Sequence, residues 1–226
     1  MMENKNYSKI LSQIAEAATV AGRKPEEVRL VGVTKYFTGT EEVEALYAAG
    51  CRDFAENRLQ VFQEKADKLR TLHDTEETAF RWHFIGPLQK NKARKILQNA
   101  DVIHSGESLD VLQALDRISA ELNLRREILV EINLGGEQNK HGFSPAEFRA
   151  AFPEIQVFTH LKIVGLMGMT SLDADETQAH RQFATLRQLR DEFLPGGELS
   201  MGMSDDFPIA IVEGATMVRI GSALFE

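Results

Sequence analysis

A chain of 226 residues that is 43% apolar and 27% charged, with one cysteine, Cys51, has a globular composition and excludes disordered, fibrous and disulfide-stapled classes. Twenty-six basic against 34 acidic residues leave a net charge of −8, which repels the phosphate backbone of nucleic acid unless basic groups gather on one face. The first residues lack the basic start and apolar stretch of a secretory leader, and no segment has the apolar length of a membrane span, so a cytoplasmic location away from membranes is expected.

In chain order, Ile10, Leu11, Ile14, Ala15, Ala18 and Val20 recur at helical spacing until Gly22 and Pro25 stop the pattern, which predicts a helix over 6–22. Val28 to Lys35 is a β-branched run that reads as a buried strand, and Glu41 to Ala49 reads as a helix ended by Gly50. The alternation continues: strand 53–57 and helix 59–72, strand 81–85 and helix 89–99, strand 102–104 and helix 109–122, strand 127–134 and helix 145–152. Strand 163–169 precedes a long periodic helix at 176–193, strand 199–203 precedes a helix at 208–214, and a strand over 217–225 ends the pattern.

Eight strands alternating with helices, without a Pro/Gly/Ser-rich linker, predict one α/β domain over 1–226: a (β/α)8 TIM barrel with an extra N-terminal helix and no second β-domain. A doubly wound open sheet is the competing arrangement. No helix follows the last strand and an unpaired helix precedes the first, so the N-terminal helix is expected to cover the wall left bare between strands eight and one.

Barrels of this type place their sites at the C-terminal strand ends, often with a phosphate site after strands seven and eight. Val31, Val33 and Lys35 share one face of strand one, which puts a lysine at the barrel mouth. A snorkelling surface lysine is the plain reading; a desolvated amine that forms a Schiff base with an aldehyde is the sharper one. Strand seven ends in Ser200-Met-Gly-Met-Ser204, and strand eight carries Arg219-Ile-Gly221-Ser222. Glycines, hydroxyls and a guanidinium together can cradle a phosphate. An amine and a phosphate cup on one rim suit either pyridoxal 5'-phosphate or a sugar-phosphate carbonyl.

Seven segments narrow that choice: Val31–Lys35, Phe54–Asn57, Trp82–Gln89 with Asn91 and Lys92, Gly135–Gly142, Gly165–Gly168, Leu199–Asp206 and Gly214–Ala223. They run in order over nearly the whole chain, and the sequence resembles the pyridoxal phosphate homeostasis protein family. The resemblance implies a barrel similar to the N-terminal domain of alanine racemase, with pyridoxal 5'-phosphate (PLP) held as an internal aldimine on Lys35. It also implies Asn57 beside the cofactor ring, and Ser200, Met201, Ser204, Arg219, Gly221 and Ser222 around the phosphate, partly through main-chain N–H groups. The implied role is cofactor homeostasis and delivery to PLP-dependent apoenzymes, without turnover. An amino-acid racemase or decarboxylase is the alternative, but racemases of this kind take a second acid–base group from a β-rich domain that also builds their dimer. No residues remain here for that domain, so a non-catalytic monomer is expected. Two positions depart from the family pattern: Ala55 stands where glycine is common, and Arg58 where an aromatic residue is common.

Other residues have plainer readings. His83, His104 and His141 are expected to be hydrogen-bonded core or rim groups, with no metal-ligand spacing among them. Trp82 and Phe84 should pack under the helices, methionines 167, 169, 201 and 203 should fill space near strand ends, and Lys90, Lys92, Arg94 and Lys95 form a solvated basic face.

Overall fold

The computed structural model describes residues 5–37, 39–70, 79–136 and 141–225. Positions 71 and 72 at the end of the second predicted strand–helix unit, and positions 137–140 of the Gly135–Gly142 motif, lie outside the described residues.

Eight parallel strands close into a barrel in sequential order. They are β1 (Arg29–Val33), β2 (Asp53–Glu56), β3 (Arg81–Phe84), β4 (Val102–Gly106), β5 (Arg126–Asn133), β6 (Leu161–Met169), β7 (Glu198–Ser200) and β8 (Met217–Ile220), with β1 paired to β8. The helices are α1 (Lys5–Val20), α2 (Glu41–Ala48), α3 (Leu59–Arg70), α4 (Ala93–Asn99), α5 (Leu109–Leu122), α6 (Pro145–Ile155), α7 (Glu176–Phe193) and α8 (Phe207–Val212).

Strand alternation sorts the apolar residues into two layers. Val31, Val33, Ala55, Val102, Leu129, Met167 and Met217 fill the barrel interior. Their neighbours in sequence point outward beneath the helices, where Phe54, Phe62 and Trp82 pack with ring centroids 5.9 and 5.6 Å from the indole. Trp82 and Phe84 therefore pack as expected. At the N-terminal end of the barrel the same inward rows turn charged, and Arg29 pairs with Glu198 while Arg81 pairs with Glu127.

Helix α1 buries Tyr7, Ile10, Ile14, Ala17 and Ala18 and packs against α8 and the closing turn of the chain. Arg23, just beyond its end, donates to the carbonyls of Ile211 and Ala215 at 3.1 and 2.8 Å. The extra helix thus covers the wall beside β8, because a closed barrel needs an apolar cover on every outward strand face.

Several boundaries differ from the sequence expectation. Helix α6 runs through Pro153 to Ile155: its Ser144/Glu147 capping box and the full burial of Ile155 outweigh the hydrogen bond that proline forfeits. Strand β1 stops at Val33, so Lys35 sits in a turn. Strand β8 stops at Ile220 and the chain bends at Gly221 into a short helical turn, Ser222–Leu224, where a strand was expected. The basic face of α4 and of the helical turn before it, Lys90–Lys92, is exposed and salt-bridged to α5: Lys90 reaches Asp110 at 2.8 Å and Arg94 pairs with Glu121.

Candidate functional site

A cleft of about 380 Å³ opens at the C-terminal ends of the strands, within the usual range for small-molecule sites. Lys35, Asn57, Ser204, Arg219, Gly221 and Ser222 all line it. Ser200 and Met201 do not. Both are fully buried; the Ser200 hydroxyl lies one layer below the cleft, and Met201, the next residue, turns outward into the helix-facing core. The Met201 N–H is already spent on the Met217 carbonyl at 3.1 Å. Alternation continued one residue past β7 accounts for both placements, since successive side chains point to opposite faces.

Lys35 continues the inward row of Val31 and Val33 and stands exposed over the mouth. Its Nζ lies 5.2 Å from the Tyr36 ring centroid, and among the described residues no carboxylate pairs with it. The turn carrying it is held from below by a fully buried ion pair, Lys65 to Glu56 at 2.9 Å. Lys65 Nζ also donates to the Thr34 carbonyl and Oγ1 at 2.7 and 3.1 Å, while Glu56 Oε1 accepts the N–H groups of Asn57 and Arg58 at 2.9 and 3.2 Å. One ion pair therefore ties together the turns that present Lys35 and Asn57. Arg58 adds a bond from its guanidinium to the Lys35 carbonyl at 2.6 Å, so the departure from an aromatic residue gives this turn a polar brace. Ala55 keeps negative φ, and its methyl is absorbed in the barrel interior.

Asn57 is pressed from the other side by the turn after β3. A Cβ on Gly86 would come 2.1 Å from the Asn57 carbonyl oxygen, so only glycine allows that approach. The Asn57 side-chain oxygen is buried without a partner among the described residues. Across the cleft, the Ser222 hydroxyl lies 3.4 Å from that of Ser204. Gly221 lets the chain pass close to Tyr36, whose ring would stand 2.9 Å from an added Cβ.

Beneath the cleft a hydrogen-bonded chain crosses the barrel. Asp53 Oδ1 to His83 Nε2 is 2.9 Å, His83 Nδ1 to His104 Nε2 is 2.8 Å, His104 Nδ1 to Ser200 Oγ is 3.0 Å, and Arg219 donates to Ser200 Oγ at 2.7 Å. The proton positions follow from chemistry. A carboxylate only accepts, so His83 carries its proton on Nε2 and accepts at Nδ1 from His104, which in turn accepts from the Ser200 hydroxyl. Both rings are then neutral, and burial holds both below the ordinary histidine range, His104 further because charged neighbours add to the effect. Arg219 also donates to the Ser200 carbonyl at 2.8 Å and the Gly168 carbonyl at 3.2 Å. Burial pulls its pKa down to about 10, a value that still leaves it charged at neutral pH.

The opposite wall is acidic. Glu131 on β5 is only 7% exposed yet faces the cleft, with Glu107 after β4 and His141 beside it. His141 Nδ1 pairs with Glu107 at 2.9 Å. Burial, reinforced by the Glu107 charge and opposed by His141 and Arg219, pushes the Glu131 carboxyl up to about 7. Sequence reading passed over this wall and over the Lys65–Glu56 pair. A glutamate within the apolar run Ile128–Ile132, on the same parity as Leu129, was the available signal for the first.

Comparison with known proteins agrees with this fold. Residues 6–226 match the family described as alanine racemase, N-terminal domain. A pyridoxal phosphate homeostasis protein of Synechocystis is 41% identical over 89% of this chain and 92% of its own length, and that of Escherichia coli K12 is 37% identical over 97% and 94%. PipY of Synechococcus elongatus, solved with PLP bound, superposes with a TM-score of 0.80 at 35% identity, covering 94% of this chain and all of that one. An alanine racemase from Clostridium difficile shares the fold alone, at 17% identity and a TM-score of 0.72, and only 56% of its chain is covered. This barrel, with its lysine-bearing mouth, belongs to the pyridoxal phosphate homeostasis protein family.

Proposed function

We propose that the cleft binds PLP as a Schiff base on Lys35, and that the chain, acting as a cytoplasmic monomer, stores the cofactor and delivers it to PLP-dependent apoenzymes without turning over an amino acid. The observation that carries this reading is that an amine and a pair of adjacent hydroxyls line one cleft at the C-terminal strand ends. The residues present fit the cofactor: Ser204, Ser222 and the Gly221 turn suit a phosphate, and the orphaned Asn57 oxygen suits a ring hydroxyl. Arg219 lines the bottom of the cleft, donates to Ser200 and to the Gly168 carbonyl, and supplies positive charge to an anionic ligand. Arg219 therefore keeps its place among the residues that would hold the cofactor, as a charge fixed at the bottom of the cleft.

When bound, the cofactor supplies an electrophilic aldehyde carbon for Lys35. Lys35 provides the nitrogen, Asn57 and the hydroxyl pair orient the ligand, and the Lys65–Glu56 pair keeps the amine over the mouth. A homeostatic role rather than turnover is supported by the names of relatives that match over 92% and 94% of their own length.

Purified protein should be yellow, and borohydride should fix the cofactor on the peptide containing Lys35, with the band absent in Lys35→Ala. An equal band in that variant would remove Lys35 as the anchor. Racemisation or decarboxylation across an amino-acid panel, lost in Lys35→Ala, would replace delivery with an enzymatic role.

A further inference from the structure

β1 and β5 are four strands apart in either direction round an eight-stranded barrel, so Lys35 and Glu131 face each other across the mouth. The Glu131 carboxyl has no hydrogen-bond partner among the described residues although only 7% of the residue is exposed. Such a carboxylate is costly unless a donor arrives to meet it. The phosphate and aldehyde of PLP only accept, its ring hydroxyl is met by Asn57 in the reading above, and its pyridinium offers a single N–H, whereas a ligand ammonium brings three N–H groups with its charge.

We propose that Glu131, backed by Glu107 and His141, receives the ε-ammonium of an acceptor lysine and takes its proton, so that PLP leaves Lys35 by exchange onto that amine. This rests on the Schiff-base reading of Lys35 above. One proton passes from the entering ammonium to a Glu131 oxygen, freeing the nitrogen lone pair to attack the C=N carbon. A proton then moves from the entering nitrogen to the Lys35 nitrogen, whose bond to that carbon breaks, its electron pair returning as the new C=N double bond forms. Glu131 then releases its proton to water, and the freed Lys35 amine across the mouth takes one up from water. Nothing is oxidised or reduced.

The charges facing Glu131 tune this step. Glu107 opposes its ionisation, His141 and Arg219 favour it, and Lys35 and Asp205 stand at the far rim. With its pKa near 7, the carboxyl both takes and returns a proton near neutral pH. The acidic wall also selects the amine. An α-amino acid brings a carboxylate next to its ammonium and meets Glu131 and Glu107 with like charge, whereas a lysine side chain on a polypeptide does not.

The test uses the full chain loaded with PLP and follows exchange spectroscopically onto Nα-acetyl-lysine N-methylamide or onto L-alanine, each protein compared at equal bound cofactor. Wild type should favour the lysine probe about tenfold, with a rate rising through pH 7. Glu131→Gln should slow exchange onto that probe about 100-fold and lose the inflection. An unchanged rate in Glu131→Gln, or a wild-type preference for alanine, overturns the proposal. In PLP-free protein, carboxyl ¹³C NMR should show the lysine probe shifting the Glu131 resonance saturably and lowering its titration midpoint; no shift overturns the proposal even if Glu131→Gln fails to fold. Retention of the PLP band in Lys35→Ala would instead sink the Schiff-base reading, a result distinct from either.

Discussion

Lys35 has no special chemistry written into its own side chain; its position does the selecting. An inward parity shared with Val31 and Val33 brings it over the mouth, and that parity is legible in the sequence because strands alternate. Asn57 is placed differently, by the close passage of Gly86 against its carbonyl. Gly86→Ala should cost about 1–3 kcal/mol of stability, since the backbone on one side must give way, and it should weaken PLP binding more than a methyl elsewhere on the rim. Urea denaturation and cofactor titration measure the two effects; full PLP affinity in Gly86→Ala would show that Asn57 needs no such fixing. Ser200 and Met201 illustrate the limit of motif reading. They belong to a segment that runs beside the site, but one lies beneath its floor and the other behind it.

Strand β2 and helix α3 form one supporting unit through Lys65 and Glu56. A buried ion pair is weak evidence of net stabilisation, but removing a single partner strands a charge and costs about 3–5 kcal/mol. Lys65→Met should therefore lose stability of that order and loosen the Lys35 turn, whose Thr34 carbonyl loses its donor. Adding Glu56→Gln keeps an acceptor for the Asn57 N–H while discharging the orphaned carboxylate, and should recover much of the loss. Denaturant midpoints of the single and double variants decide it; a double variant no better than Lys65→Met would mean that the charge is not what matters. Lys65 could not be recognised from sequence, because a lysine on an amphipathic helix normally faces water and only the packed structure turns this one inward.

The barrel interior carries its own pH dependence. His83 and His104 are held neutral by burial, so between their folded pKa values and the ordinary value of about 6.5 the unfolded chain binds protons that the native chain refuses. Their contribution is complete above pH 6.5 and is lost as pH falls. Glu131 and Glu107 act in the opposite sense: raised carboxyls stabilise the native state below their ordinary pKa, and that stabilisation is lost as pH rises, for Glu131 through about 7. The two effects partly cancel between pH 5 and 6.5. Glu131→Gln should remove one opposing proton and steepen the acid loss by about 1.4 kcal/mol per pH unit in that window, measurable by urea unfolding at stepped pH. Parallel curves for wild type and Glu131→Gln would show that the carboxyl is not raised.

Alternation of apolar runs with turn residues was enough to specify eight strands, their order and the lysine at the end of the first, because periodicity and chain connectivity are local properties. Strand ends, the course of α6 through Pro153 and the turn at Gly221 were settled by packing that overrides local preference. The acidic wall, the buried pair under Lys35 and the histidine chain under Arg219 join residues 9 to 96 positions apart. Their partners become neighbours only when the barrel closes, and burial together with neighbouring charges then shifts the titration of Glu131 and the two histidines.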